Sequence, residues 1–259
     1  MPPRGLTGGR NSLEELLIQN ACIIDGTGSP GFMGSLTVSG ARITGIWKDP
    51  WYNIPARERL DSAGMVLCPG FVDTHTHSDM VLLHDGRQPA SITQGVTTEI
   101  LGQDGLSYAP LSPDNLRSYV LYLKGIDGMF CDVPLDFTST EQYLSRFEGK
   151  TGVNVAYLVP HCALRLETVG FENRLLTPSE MMLAQTMLRQ GIREGAKGLS
   201  TGLSYFPGAF SDTEELVELC KAVANEGGVY VTHLRTVFQG ERFDNVDEAL
   251  EIARRSGVK

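Results

Sequence analysis

No apolar run in this chain approaches the ~20 residues that a membrane-spanning helix requires. Positive charge is also scarce. The 22 Lys and Arg stand against 31 Asp and Glu, a net charge of −9, which argues against nucleic acid or an anionic membrane as a main partner. Cysteine is limited to Cys22, Cys68, Cys131, Cys162 and Cys220, an odd count with scattered spacing and mostly in or beside apolar segments. That pattern favours a reduced, cytoplasmic protein over a disulfide framework. The opening MPPRGLTGGRNS has no apolar core of a secretory signal and is expected to be a flexible leader over 1–14. No Gly-x-Gly-x-x-Gly follows the first strand of the α/β region, so a dinucleotide-binding fold loses support. Internal repeats and low-complexity segments are absent.

What is present is an ordinary globular composition, 41% hydrophobic and 20% charged over 259 residues, enough for a sizeable core. Residues 15–64 read as short antiparallel strands joined by turns, a small β layer without the mass of a full domain. From residue 65 the rhythm changes to apolar β runs alternating with helical patterns, which predicts βα units and a parallel sheet. Five strands are expected, at 67–75, 96–101, 153–160, 198–203 and 228–234. Thr177-Pro178-Ser179-Glu180 is a capping box that opens a helix running to Gly195. Ser211 with Glu214 repeats the device before 212–226. Asn245 with Glu248 is a weaker version before 246–256, where Val246, Leu250 and Ile252 follow a helical face. The stretch 103–150 is long for a βα link and holds a Gly/Pro/Asp-rich loop and a helix near 139–148. Loops of that length in α/β proteins are often functional. The fold class is α/β, either part of a (β/α)8 barrel or an open doubly wound sheet.

The chemistry is concentrated in LCPGFVDTHTHSD. Residues two apart on a strand share a face, so His75 and His77 would aim at one point, as two ligands of one metal ion require. Asp73, on the same face, is expected to orient a neighbour. Asp104, His161 and His233 also fall at expected strand ends, where barrel active sites are built. These residues point to a metal-dependent hydrolase.

The chain resembles the amidohydrolase superfamily, and within it the N-acyl-D-amino-acid deacylase (D-aminoacylase) branch. Five segments carry the resemblance in order: LLIQNACIIDGTGSPGFMGSLTVSGARITGI, VLCPGFVDTHTHSD, QGVTTEILGQDGLSYAP, EGAKGLSTGLSYFPG and GGVYVTHLR. The resemblance implies part of a small β-sandwich over 15–64 and the first five βα units of a TIM-type barrel over 65–259. It implies one or two zinc ions held by His75, His77, Asp104 and His233, with Asp104 standing where the family carries a cysteine. It also implies that Tyr205 holds the substrate carboxylate. Arg235, just after His233, is placed to pair with a substrate or with an internal acid, and His161 is a substrate contact or a hydrogen-bonded rim histidine. Some superfamily members bridge two metals with a strand-4 lysine. That place falls at Ser200 here, with Lys197 three residues earlier, so no bridging lysine is expected.

The family's sixth-strand histidine and eighth-strand catalytic aspartate have no counterpart before Lys259, so no catalytic acid is assigned. The expectation is roughly the N-terminal half of a longer enzyme, with little or no activity alone, that forms an oligomer or lacks a C-terminal half. The expected reaction is deacylation of a small N-acyl amino acid by a zinc-activated hydroxide. Alternatives are a cyclic-amide hydrolase of the dihydroorotase or hydantoinase type, and a non-catalytic scaffold or gene fragment on the same fold.

Overall fold

A computed structural model describes residues 13–235 and 244–259. The expected leader lies outside them except for its last two residues, and Glu14 already opens a strand. The chain divides into two compact units, Met1–Gly70 and Phe71–Lys259.

The first unit contains β1 (Glu14–Ile23), β2 (Phe32–Ser39), β3 (Arg42–Trp47), β4 (Ala56–Asp61) and β5 (Val66–Leu67). They form one sheet in the order β3-β2-β1-β4, with β5 also paired to β1. The β1–β2 and β2–β3 pairs are antiparallel, but β4 and β5 run parallel to β1. The all-antiparallel layer expected from the sequence is therefore corrected. Residues 48–55 form no strand, and they return the chain to the starting end of β1, where Glu14 donates its N–H to the Pro55 carbonyl at 3.0 Å. Leu17, Ala21, Ile23 and Leu36 bury the inner face. A bulge between Ile18 and Ala21 places Asn20 at φ 59°, a left-handed position that Asn tolerates better than most residues.

The second unit is α/β, as expected. In chain order it has β6 (Phe71–Asp73), α1 (Asp79–His84), α2 (Pro89–Ile92), β7 (Val96–Leu101), α3 (Pro113–Leu123), α4 (Thr140–Ser145), β8 (Asn154–Tyr157), β9 (Val159–Pro160), α5 (His161–Thr168), α6 (Pro178–Arg193), β10 (Gly198–Gly202), α7 (Thr213–Asn225), β11 (Val229–His233) and α8 (Asp244–Ser256). Strands β6-β7-β8 and β9-β10-β11 form two three-stranded sheets in which all pairs are parallel. Helices α5, α6, α7 and α8 pack each on the next, with α5, α6 and α7 also against the strands of the second sheet.

Several element boundaries differ from expectation for local reasons. The strand expected at 67–75 is cut in two. Val66–Leu67 pairs with β1, Pro69 and Gly70 then break the ladder, and β6 spans only Phe71–Asp73. The strand expected at 153–160 divides at Leu158, whose N–H donates to the Leu101 carbonyl at 3.1 Å. His161 does not end a strand. It is the first residue of α5, directly after Pro160. Helices α3 and α5 make no side-chain cap hydrogen bond, although Ser112, Pro113 and Asp114 at the start of α3 are a start signal that the sequence reading passed over. The capping box of α6 forms as expected. The cap of α7 is Asp212, whose side chain accepts the Glu215 N–H, while Ser211 is buried and donates to the Gly208 carbonyl at 2.7 Å. Helix α8 includes Asn245 and borders the residues outside the description, and the Asn245 Oδ1 accepts the Val246 N–H at 2.9 Å. The five cysteines are all unpaired. No helix among the described residues is long and apolar enough to cross a membrane.

A buried charge cluster joins α5 to α7. Glu215 is 3% exposed and accepts from His161 Nε2 at 2.8 Å and from Arg165 Nη1 at 2.5 Å. Burial pushes the Glu215 carboxyl up, but the His161 and Arg165 hydrogen bonds and charges outweigh it and hold the group below its usual range. Removing one member strands a buried guanidinium, which typically costs about 3–5 kcal/mol. Glu215→Ala is therefore expected to lower unfolding stability by about that amount, and urea denaturation followed by far-UV circular dichroism would measure it. A loss below about 1 kcal/mol, the range of an exposed pair, would show that the cluster does not hold the helices together.

Candidate metal centre

His75 and His77 follow β6 in an irregular turn, beyond the regular strand. Strand alternation is therefore not what brings them together. The turn is shaped by Asp73, whose Oδ1 accepts the His75 backbone N–H at 3.1 Å. Asp73 thus acts on the backbone and not on an imidazole, as the sequence had suggested it might. The two rings lie 5.6 Å apart at 77° to one another.

Their common target is Asp104, at the end of β7. Residues Gln103–Gly105 form a 3-10 turn in which Asp104 has φ 56°, flanked by Gly102 at φ 77° and Gly105 at φ 68°. A Cβ on Gly102 would meet the Leu158 carbonyl at 2.2 Å, so only glycine fits there. Three side chains pin this turn. Ser200 of β10 accepts the Gly105 N–H at 3.0 Å and donates to the Gly102 carbonyl. Gln103 Nε2 donates to the Thr74 carbonyl at 2.9 Å and so ties the Asp104 turn to the histidine turn. Buried Asp79 accepts from Ser107 Oγ at 2.5 Å, from Tyr143 OH at 2.9 Å and from the Gly102 N–H at 3.5 Å.

The outcome is a convergence on one oxygen. Asp104 Oδ2 lies 3.3 Å from His77 Nε2, 3.5 Å from His75 Nε2 and 3.6 Å from His233 Nδ1. Ligand atoms of His75, His77 and Asp104 all lie within 4.8 Å of one another, the spacing of groups that can share a cation. His233, at the end of β11, reaches Asp104 but does not join that mutual cluster. A metal fits this donor set on an independent ground. Two ring nitrogens face a carboxylate that can only accept when ionised, so the group needs either a proton or a metal ion between its members.

The electrostatics agree. The Asp104 hydrogen bond raises the His77 pKa above its usual value, burial works against it, and the charges of Asp127, Asp104 and Asp79 add to the rise. Burial pushes the Asp104 carboxyl up, but the hydrogen bond to His77 and the charges of His75, His233 and His77 together hold it below the usual range. On the far side of His77 lies Asp127, 3% exposed, in the turn after α3. Its Oδ2 accepts from Tyr108 OH at 2.7 Å. Burial, with the charge of Asp79, pushes the Asp127 carboxyl up to about 7.

The remaining expected site residues lie as follows. Tyr205 packs on His233 with ring centroids 5.2 Å apart. Arg235 is occupied by an internal acid: its Nε and Nη2 donate to Glu248 of α8 at 3.0 and 3.1 Å, and its Nη1 to the Ala209 carbonyl at 3.2 Å. His161 is fully buried, spends Nε2 on Glu215 and presents no surface to a substrate. Lys197 is exposed, and the buried Ser200 at the lysine's family position ties the Asp104 turn instead. Gln103, Asp79, Tyr108 and Asp127 were missed by sequence reasoning. An Asp-Gly pair at 127–128 was visible, but as a turn signal only.

The class of protein to which the chain is similar is that of the amidohydrolases. A crystal structure of D-aminoacylase, described as defining a novel subset of amidohydrolases, matches 95% of this chain and 50% of its own, at 33% identity and a TM-score of 0.81. Within that class, N-acyl-D-glutamate deacylase from Bordetella bronchiseptica, solved with zinc and a phosphonate mimic of the tetrahedral intermediate, matches 95% of this chain and 50% of its own, at 32% identity and a TM-score of 0.84. In sequence, the D-aminoacylase of Alcaligenes xylosoxydans xylosoxydans is 34% identical over 246 residues, 94% of this chain and 49% of the relative. These deacylases are homologues of the chain, which spans about half the length of the curated relatives it matches. No protein-family profile matches it.

Two predictions follow from the proton at this cluster. A raised histidine pKa contributes stability below its unfolded value of about 6.5 that is lost as pH rises through the folded value. A lowered carboxyl pKa contributes stability above about 3.9 that is lost as pH falls. The metal-free His77–Asp104 pair is therefore expected to stabilise most between about pH 4 and 6.5, and to contribute less on either side. Denaturation midpoints of wild type and Asp104→Asn across that range check this; a constant difference from pH 4 to 9 contradicts it. Zinc must displace the same proton, so zinc affinity is expected to climb with pH past 6.5, by up to about tenfold per unit for one proton released. Competition titrations against a chromophoric chelator would measure it, and a flat profile from pH 5.5 to 8 would remove His77 from the donor set.

Proposed function

We propose that the protein carrying this chain is a zinc-dependent hydrolase of linear amides that removes the acyl group from N-acyl-D-amino acids. The observation that carries the reading is the meeting of His75, His77 and His233 at one oxygen of Asp104. The homologous deacylases support it. The alternation of parallel strands and helices supports a first part of a (β/α)8 barrel, with the β layer of residues 13–70 as part of a small sandwich. Five unpaired cysteines and a net charge of −9 support a cytoplasmic enzyme of small-molecule substrates.

In this reading His75, His77 and Asp104 would hold zinc, with His233, beside Asp104, as a further candidate ligand. Zinc, when bound, lowers the pKa of water toward ~7 and polarises an amide carbonyl. The chain's own residues supply the rest. The pinned turn at Gly102–Gly105 fixes Asp104 without reorganisation. Tyr205, beside His233, is placed to hold the substrate carboxylate through its hydroxyl. Arg235 and His161, both engaged within the protein, hold the walls and not the substrate. The cyclic-amide reading is disfavoured because Ser200 occupies the bridging lysine's position and Lys197 is exposed.

The test has two arms. The chain is expected to retain zinc through gel filtration, and His75→Ala combined with His77→Ala to retain none. The protein containing this sequence, loaded with zinc, is expected to release free amino acid from N-acetyl-D-leucine, N-acetyl-D-glutamate or N-acetyl-D-aspartate in preference to the L forms, and to leave hydantoins intact. Ring opening of hydantoins without deacylation would replace the proposal by the cyclic-amide one. A wild-type chain without zinc would end it.

A further inference from the structure

We infer that Asp127 is the positioning residue of His77: once a metal ion takes the place of the proton that Nε2 shares with Asp104, the Asp127 carboxylate accepts the His77 Nδ1–H and holds the ring with Nε2 toward the metal position. This inference rests on the metal-centre reading above and adds a residue that the family resemblance did not supply.

The argument starts from two unmatched atoms. His77 Nδ1 and Asp127 Oδ1 are both buried, and neither has a hydrogen-bond partner among the described residues. Buried polar atoms are nearly always paired, and these two face each other at 3.9 Å. That is about 0.7 Å beyond the ~3.2 Å limit of an N–H···O bond. The rest of each group is already committed. His77 Nε2 is turned to Asp104 Oδ2 at 3.3 Å, and Asp127 Oδ2 is held by Tyr108 OH at 2.7 Å. Each side chain therefore has one engaged end and one idle end, and the idle ends meet.

The elements explain why the carboxylate is there. Helix α3 ends at Leu123, and the Asp127 N–H returns to the Leu123 carbonyl at 3.0 Å. Gly128 follows at φ 78° and turns the chain away. Tyr108, fully buried in the loop after β7, fixes the carboxylate's orientation from behind. The loop between β7 and β8 thus places a rigid acceptor against the back of a histidine on a different turn.

The chemistry is that of a histidine whose second nitrogen selects its tautomer. A ring that donates Nδ1–H must keep Nε2 free, and a carboxylate acceptor makes that nitrogen a stronger donor to a metal. Among the described residues the His75 ring has no such partner: its side chain is 54% exposed and its ring pairs with Asp104 alone. The two histidines of one motif are thus unequal, His77 preset and His75 adaptable.

The experiment is nitrogen-15 NMR of the histidine rings in the zinc-loaded chain, together with zinc affinity. Wild type is expected to show the His77 Nδ1–H shifted downfield and protected from exchange, as a hydrogen bond to a carboxylate makes it. Asp127→Asn is expected to remove that shift while leaving the His75 ring in place, and to weaken zinc by about 10–100-fold, the usual loss when such an outer partner is removed. Tyr108→Phe, which only loosens Asp127, is expected to weaken zinc less. A zinc-loaded wild type whose His77 Nδ1–H shows no hydrogen-bond shift would overturn the inference without need of any variant that might misfold. So would an Asp127→Asn chain with wild-type zinc affinity and an unchanged His77 ring. A wild-type chain that binds no zinc would defeat the metal-centre reading and this inference with it, whereas zinc held without the Asp127 effect defeats this inference alone.

Discussion

The structure turns on one carboxylate held in a backbone conformation that its residue type does not favour. Asp104 sits at φ 56°, in the left-handed region that non-glycine residues enter at a cost. That conformation persists because its surroundings over-determine it. Gly102 and Gly105 accept positive φ on either side, Ser200 bonds the turn's backbone from β10, Gln103 bonds it to the histidine turn, and Asp79 receives the Gly102 N–H. Release any one of these and the oxygen that three imidazoles approach would move. The strain is therefore stored where the chemistry is expected, and it is opposed by contacts from three separate strand ends.

The same arrangement explains why so many buried hydroxyls surround the site. Asp79 and Glu99 are both fully buried, and an unpaired carboxylate there would be prohibitively costly. Ser107 and Tyr143 donate to Asp79, while Ser78 and Ser91 donate to Glu99. Ser78 belongs to the turn that carries the histidines and Glu99 to β7, so this bond also fixes the histidine turn to the strand that carries Asp104. The polar network is thus a positioning device as much as a means of satisfying buried charge.

How much of this was legible in the sequence depends on the range of the interaction. His75, His77 and His233 were legible because a short motif and strand-end placement flag them, and Asp104 because its segment resembles the family's metal loop. The reason first given for the histidine pair was nevertheless incomplete. Strand alternation cannot act past Asp73, where β6 ends, and it is the Asp73 side chain bending the backbone that does the work. Capping signals found α6 because Thr177 and Glu180 are local to one turn. They missed α5, which begins without a side-chain cap, and the Ser112-Pro113 start of α3 was passed over. The parallel placement of β4 against β1 was illegible because no local pattern names a strand's partner. Arg235 shows the limit most clearly. Its place after His233 left a substrate or an internal acid open as its partner, and only the fold, which brings Glu248 to it from a helix 13 residues on, decides for the acid.

The acidic groups around His77 form a single electrostatic problem. Asp79, Asp104 and Asp127 all act on that ring, and all three are almost fully buried. Burial pushes the Asp79 and Asp127 carboxyls up, and the charge of Asp79 raises Asp127 further, because like charges in a low-dielectric region cannot both ionise freely. A group of this kind needs positive charge at its centre. One proton on His77 supplies it in part, and that is why the imidazole is held above its usual range. A divalent cation between His75, His77 and Asp104 would supply it in full, free that proton, and draw Asp127 toward its ionised form, in which it is the better acceptor for Nδ1–H. The carboxylates that make the cluster hold a proton are then the same ones that make it select a metal. The buried pair behind His77 adjusts its charge to whichever cation is present.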